Sequence, residues 1–411
     1  MRKITLIFFG LITLTSFSQN KYYRVDISDG RSSLYTMNQF NNLIQDGYRF
    51  VYGQIDYEKI TNREQKLVVI SQVLISGLFA SPITHEEGHR SVLTEENIGS
   101  INSPFITSKG VAEVTGVTDA TLQSLRDTKL PTYIRLHNGG LESDYDYLKK
   151  EDALFNFREE DYTVLYVDYL IRKLGVSIYY LTTLFHNKSG INESDDEELK
   201  RDIVGHDIFG MIRHLHRPEM EFKRYTEWND LTAAEKTYGK RIGFLSLLNY
   251  ANPNIWKIKS YKLNENTNGN FSLNYSLAPF GDFIEQNVYL DIQKRWKINP
   301  FVREYFNENT VFLCSGINLH NYILNKNFLI NGSLEVWQQP KDLSFTSSQA
   351  DLGMGIKTEL AYRLINIKNS DVFFNLGLNY KTKGFIPASP SLENDFRINF
   401  GLIIASTKLK I

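Results

Sequence analysis

The sequence predicts an α+β fold in two successive parts, a mainly helical domain over residues 19–251 and an antiparallel β-barrel of about eight strands over 252–411. Three observations carry this expectation. Apolar residues recur at helical spacing between residues 34 and 251, and after Asn252-Pro253 the period switches to two. The alternating segments run for about 10 to 16 residues, where strands of soluble sheets usually have about 5–6. A chain of 411 residues with 42% hydrophobic content is long enough for two cored domains.

In the first part the spacing predicts helices over 34–45, 60–79, 82–93, 120–128, 141–155, 162–185, 197–216 and 231–250. Residues 67–83 are very apolar, but Gln72 and Ser76 interrupt the run and Pro82 ends or kinks it. It therefore reads as a buried helix, with a membrane-inserted one as the competing expectation. The segment 162–185 holds Asp168, Arg172 and Lys173, which a lipid-exposed span would have to solvate at high cost.

In the second part Leu352, Met354, Ile356, Thr358, Leu360, Tyr362 and Leu364 share one face, opposite Asp351, Gly353, Lys357, Glu359 and Arg363. Val372, Phe374, Leu376, Leu378 and Tyr380 repeat the pattern, as do Phe396, Ile398, Phe400, Leu402 and Ile404. Shorter runs lie at 271–277 and 288–298. Such lengths suit tilted transmembrane strands, which need about 9–11 residues. Trp296, Trp337, Tyr362 and Tyr380 stand towards strand ends, where an aromatic girdle would lie, and the opposite face is polar as a barrel interior is. A soluble sandwich with its apolar faces turned inward is the competing expectation.

Residues 1–18 read as a signal peptide: Arg2 and Lys3, an apolar run over 4–14, then Ser16-Phe17-Ser18 before Gln19. Cys314 is the single cysteine, so no intramolecular disulfide forms. A net charge of -1 gives no basic excess for nucleic acid. The expected location is a bacterial outer membrane, with its lipid as partner and the helical domain on the periplasmic side.

One motif carries chemistry. His85-Glu86-Glu87-Gly88-His89 fits H-E-x-x-H, in which two histidines one helical turn apart reach a single ion. Glu86 is then placed as general base on a metal-bound water, whose pKa Zn2+ brings towards 7. Ser81-Pro82 upstream is suited to start a fresh helix.

The pentapeptide resembles that of the zincin metallopeptidases, which hydrolyse peptide or protein substrates. The metzincin continuation is missing, since Arg90-Ser91-Val92-Leu93-Thr94 follows. Glu142 and Asp146, four residues apart after an expected turn at Asn138-Gly139-Gly140, resemble the E-x-x-x-D element of gluzincins related to membrane-associated CAAX-processing peptidases. That resemblance implies Glu142 as third ligand and Asp146 as support for a ligand histidine. His137 competes for the third position. His206 and His214 are candidates to stabilise the oxyanion, and His186 and His320 look structural or exposed. The contrasting expectation is a non-enzymatic outer-membrane pore, adhesin or scaffold.

Overall fold

The computed structural model describes residues 17–28, 35–103, 112–185, 197–367 and 370–408. Residues 1–16 of the expected signal peptide and His186 lie outside them. The fold is α+β, with a helical body set against one large antiparallel sheet.

The helices are α1 (Met37–Tyr52), α2 (Asn62–Ile75), α3 (Ser81–Glu95), α4 (Asp119–Thr128), α5 (Leu130–Asn156), α6 (Tyr162–Phe185), α7 (Asp207–His216) and α8 (Ala233–Ser246). Local chemistry sets several starts. Thr36 caps α1 by accepting from Gln39, and Thr61 with Glu64 forms a capping box on α2.

Three expectations about helix boundaries are corrected. The helix expected over 197–216 is only a 3-10 turn at Glu198–Lys200, followed by an α-helix that begins at Asp207. Ser81-Pro82 does not start a separate helix: α2 continues through a π-helical turn, Ser76–Ala80, directly into α3. Pro82 has no N–H to give to the preceding turn, and the wider turn just before it absorbs the mismatch. Nor is Asn138-Gly139-Gly140 a turn. It lies in the middle of α5, which is 27 residues long, because the glycines serve packing between helices.

The sheet is built from β1 (Phe17–Ser28), β4 (Tyr261–Asn264), β5 (Thr267–Ala278), β6 (Gly281–Ile292), β7 (Trp296–Phe306), β8 (Val311–Asn325), β9 (Phe328–Pro340), β10 (Ala350–Ile367), β11 (Ser370–Lys381) and β12 (Asp395–Lys408). A separate ribbon pairs β2 (Ile101–Ser103) with β3 (Glu113–Thr115). The large sheet runs β1-β12-β11-β10-β9-β8-β7-β6-β5-β4. It therefore has ten strands where about eight were expected, and β1 comes from the helical part of the sequence. Among the described residues no pairing joins the edges β1 and β4, so strand pairing does not close a barrel.

The two sheet faces are opposite to those of a soluble sandwich. Leu352, Leu360, Leu364, Phe374, Leu376, Phe396 and Leu402 are exposed, while Asn270, Ser272, Glu285, Arg303, Glu359 and Asn375 are buried. Trp337 departs from the expected girdle: it is buried, with Gly353 and Gly384 against its ring. The polar face meets the helical body, with α5 packed on β5. Ion pairs stitch the two: Lys149–Glu285 at 2.9 Å, Lys297–Glu159 at 2.6 Å, Arg397–Glu95 at 2.6 Å, and Lys21–Glu160. Arg303 completes the network with Glu285 at 2.6 Å. Buried charges are tolerable here because each has a partner.

Candidate metal centre

Helix α3 crosses α5 at glycines. A Cβ on Gly88 would lie 2.0 Å from the carbonyl oxygen of Gly139, and one on Gly140 would lie 2.3 Å from His85 Nε2. Only backbone-to-backbone approach lets the histidine motif reach α5. Gly88→Ala is therefore expected to destabilise the protein by at least about 1–3 kcal/mol, since the obstacle is backbone and not a movable side chain. Unfolding by heat or denaturant measures this.

That crossing fixes both imidazoles. His85 Nδ1 is 2.7 Å from Asp144 Oδ2, and His89 Nδ1 is 2.7 Å from the Leu136 carbonyl oxygen. A carbonyl only accepts, so Nδ1 of His89 carries a proton, and the Asp144 carboxylate holds one on Nδ1 of His85. Burial alone would lower the pKa of both rings, but the nearby carboxylates raise it, so each Nε2 offers its lone pair to a metal by giving up a second proton. Asp144 is itself backed by Arg172 at 3.8 Å, which donates to Thr84 Oγ1 at 2.7 Å. Ser143 Oγ donates to the Thr84 carbonyl at 2.6 Å and tightens the same crossing.

The third group comes from α7. Asp207 opens this helix, after a turn at Gly205 with φ of 68° whose N–H donates to Asp202. Its Oδ2 lies 3.2 Å from His85 Nε2 and 3.4 Å from His89 Nε2. In tetrahedral zinc sites ligands about 2.0–2.1 Å from the ion stand about 3.3 Å from one another, so this spacing fits an ion between them. Asp207 Oδ2 is buried with no hydrogen-bond partner, which also fits a cation. Burial alone would raise the Asp207 pKa, but the imidazoles of His89 and His85 hold it far below the usual carboxylate range. His85, His89 and Asp207 thus form a cluster able to hold a metal ion.

Glu86 is half-buried beside His85. Glu87 is occupied elsewhere, accepting from Arg90 Nε at 2.7 Å and Asn102 at 3.2 Å. Tyr179 packs its ring 5.9 Å from that of His85, and its hydroxyl accepts from the Asp207 N–H at 3.1 Å.

The other candidates sit as follows. Glu142 is not in the cluster: Arg135 grips it at 2.6 and 2.9 Å, and the Ala388 N–H donates to it at 2.7 Å. It ties α5 to the segment before β12. Asp146 accepts from Asn41 at 3.1 Å and pairs with Lys150 at 2.7 Å, while Asp144 supports His85 instead. His137 is fully buried, stacked 5.3 Å from His214, and burial lowers its pKa well below the ordinary value. His206 immediately precedes Asp207, stacks on Phe209 at 3.6 Å and faces Thr182 Oγ1 at 3.2 Å. Burial brings His206 and His214 to about 4, so both are neutral at neutral pH. His214 Nδ1 donates to the Gly210 carbonyl, one turn back on α7. His320 is half-buried, its ring 5.0 Å from Phe157.

Sequence reasoning missed Asp207, Asp144 and Tyr179. Asp207 had one local sign, an acidic residue opening a helix straight after Gly205-His206. Asp144→Asn, which keeps the shape but removes the charge behind His85, is expected to weaken metal affinity roughly 10–100-fold. Competition with a chromogenic chelator reads this directly. In comparisons with known proteins, no family model and no curated protein matches the chain.

Proposed function

We propose that this chain is a zinc-dependent peptidase held in a bacterial outer membrane. The observation that carries the reading is the convergence of His85 Nε2, His89 Nε2 and Asp207 Oδ2 at 3.2 and 3.4 Å, with Glu86 directly following the first ligand. Two imidazoles and one carboxylate are a donor set that suits zinc and leaves a fourth position for water or substrate. When bound, zinc supplies Lewis acidity and lowers the pKa of its water.

The protein's own residues do the rest. Asp144 and the Leu136 carbonyl hold the imidazoles in the ligating tautomer. Glu86 takes the proton from the attacking water and passes it to the departing amine. The Tyr179 ring stands 5.9 Å from that of His85 and 5.0 Å from that of His206, so the Tyr179 hydroxyl and the neutral His206 are the candidate donors to a developing oxyanion.

The membrane assignment is supported by the sheet. Its strands reach 18 residues, its outward side chains are apolar and its polar side chains face inward. Purified protein in detergent is expected to hold one zinc per chain and to cut an unfolded protein substrate. Chelation should stop cleavage and added zinc restore it. Cleavage that persists after complete metal removal would refute the assignment.

A further inference from the structure

The strand wall is open between β1 and β4 among the described residues, and helices occupy the flank. From one edge, β5 packs on the short helical turn that follows α8, α8 packs on α6, and α6 packs on α2. At the other edge, β1 packs on α1, whose Tyr52 hydroxyl meets Ser71 of α2 at 3.1 Å. We infer that α2, α6 and α8 complete the lipid-facing wall and lie in the bilayer beside the strands. This rests on the outer-membrane reading given above.

Helix α2 is turned inside out relative to a helix of a soluble protein. Its side chains Leu67, Ile70, Val73, Leu74 and, in the π turn, Phe79 are exposed, with Leu67 at 58%. Between Leu67 and Phe79 the buried side chains are polar instead. Gln72 is 0% exposed and donates to the carbonyls of Thr163 and Val164, and Ser76 is likewise buried. No charged residue occurs between Leu67 and Phe79. The same inversion marks the sheet, so one solvent accounts for both. Ile178 of α6 and Phe244 of α8, each 63% exposed, extend the apolar surface. Asp168, Arg172 and Lys173 of α6 are buried and so turned away from it, and the exposed Lys240 bounds it on α8.

The dimensions agree. Thirteen residues from Leu67 to Phe79 rise about 20 Å at about 1.5 Å each, close to the apolar band of about 25 Å on outer-membrane barrels. Asn62–Glu95 is also long and apolar enough to cross a membrane. The buried-helix expectation for this segment is thereby replaced: only 22% of its most apolar window is buried. His85 follows Phe79 by six residues on the same rod, about 9 Å further along, so the metal centre sits beside the bilayer and not in a detached periplasmic domain.

Cysteine labelling tests this. In full-length Cys314→Ser protein, single cysteines are placed at Ile70, Val73 and Phe244, with Leu376 of the sheet and Glu58 as references. Each carries an environment-sensitive fluorophore, in phosphatidylethanolamine–phosphatidylglycerol vesicles with or without brominated acyl chains. The expected result is loss of intensity at Ile70, Val73 and Phe244 equal to that at Leu376, with Glu58 quenched by aqueous iodide alone. Quenching at Leu376 combined with iodide access at the helical positions would overturn this inference and leave the outer-membrane reading intact. Helical positions shielded from both quenchers would overturn it in favour of a protein partner. Iodide access at Leu376 as well would sink the outer-membrane reading and this inference together.

Discussion

Asp207→Ala is expected to empty the metal centre while the chain stays folded. Asp207 contributes the only carboxylate in the cluster, and its Oδ2 has no other hydrogen-bond partner to lose. Its removal leaves two imidazoles, whose Nδ1 atoms remain tied to Asp144 and Leu136. Metal affinity should fall by more than the roughly 10–100-fold expected for losing a supporting residue. Glu142→Gln supplies the contrast. It disturbs the pair with Arg135, whose bonds are 2.6 and 2.9 Å, and is expected to cost stability while leaving metal stoichiometry at one. Metal analysis of both variants after dialysis separates the two carboxylates.

Glu86→Gln is the second large effect. The amide keeps the size and one acceptor of the carboxylate but does not take up a proton at neutral pH. Turnover should drop by about 10²–10⁴-fold, the range associated with one general base. Zinc content should be unchanged, because both histidines and Asp207 are untouched. A variant that loses zinc would make Glu86 a ligand, and one that keeps full activity would remove it from the chemistry.

What the sequence disclosed follows the range over which its signals act. His85, Glu86 and His89 are legible because one helical turn places them, and i to i+4 spacing needs no tertiary information. The strands after residue 252 are legible because alternation is a local property, and it even predicted which face is polar. The third ligand is not legible this way. Asp207 reaches the histidines only because α7 packs against α5, and nothing near His89 encodes that contact.

The acidic pair Glu142 and Asp146 drew attention at a plausible spacing, yet the side chain that meets His85 is Asp144, two residues from either. Helix phase decides this: α5 turns residues 139, 140 and 143 towards α3, and Asp144 shares that side. Gly139 and Gly140 suggest a turn, because glycine usually frees the backbone. Here the missing Cβ matters instead, for close helix contact. Strand β1 escaped notice because Lys21, Arg24 and Asp26 break its apolar rhythm. Two of these charges, Lys21 and Arg24, find the buried carboxylates of Glu160 and Glu359.

X-ray absorption at the zinc edge of the zinc-loaded protein tests the central claim most directly. Two imidazole nitrogens at about 2.0–2.1 Å and a carboxylate oxygen at about 2.0–2.2 Å are expected around the zinc. The carboxylate contribution should disappear in Asp207→Ala and persist in Glu142→Gln. A first shell without two imidazoles, or one that loses its carboxylate in Glu142→Gln and keeps it in Asp207→Ala, would contradict the assignment of His85, His89 and Asp207.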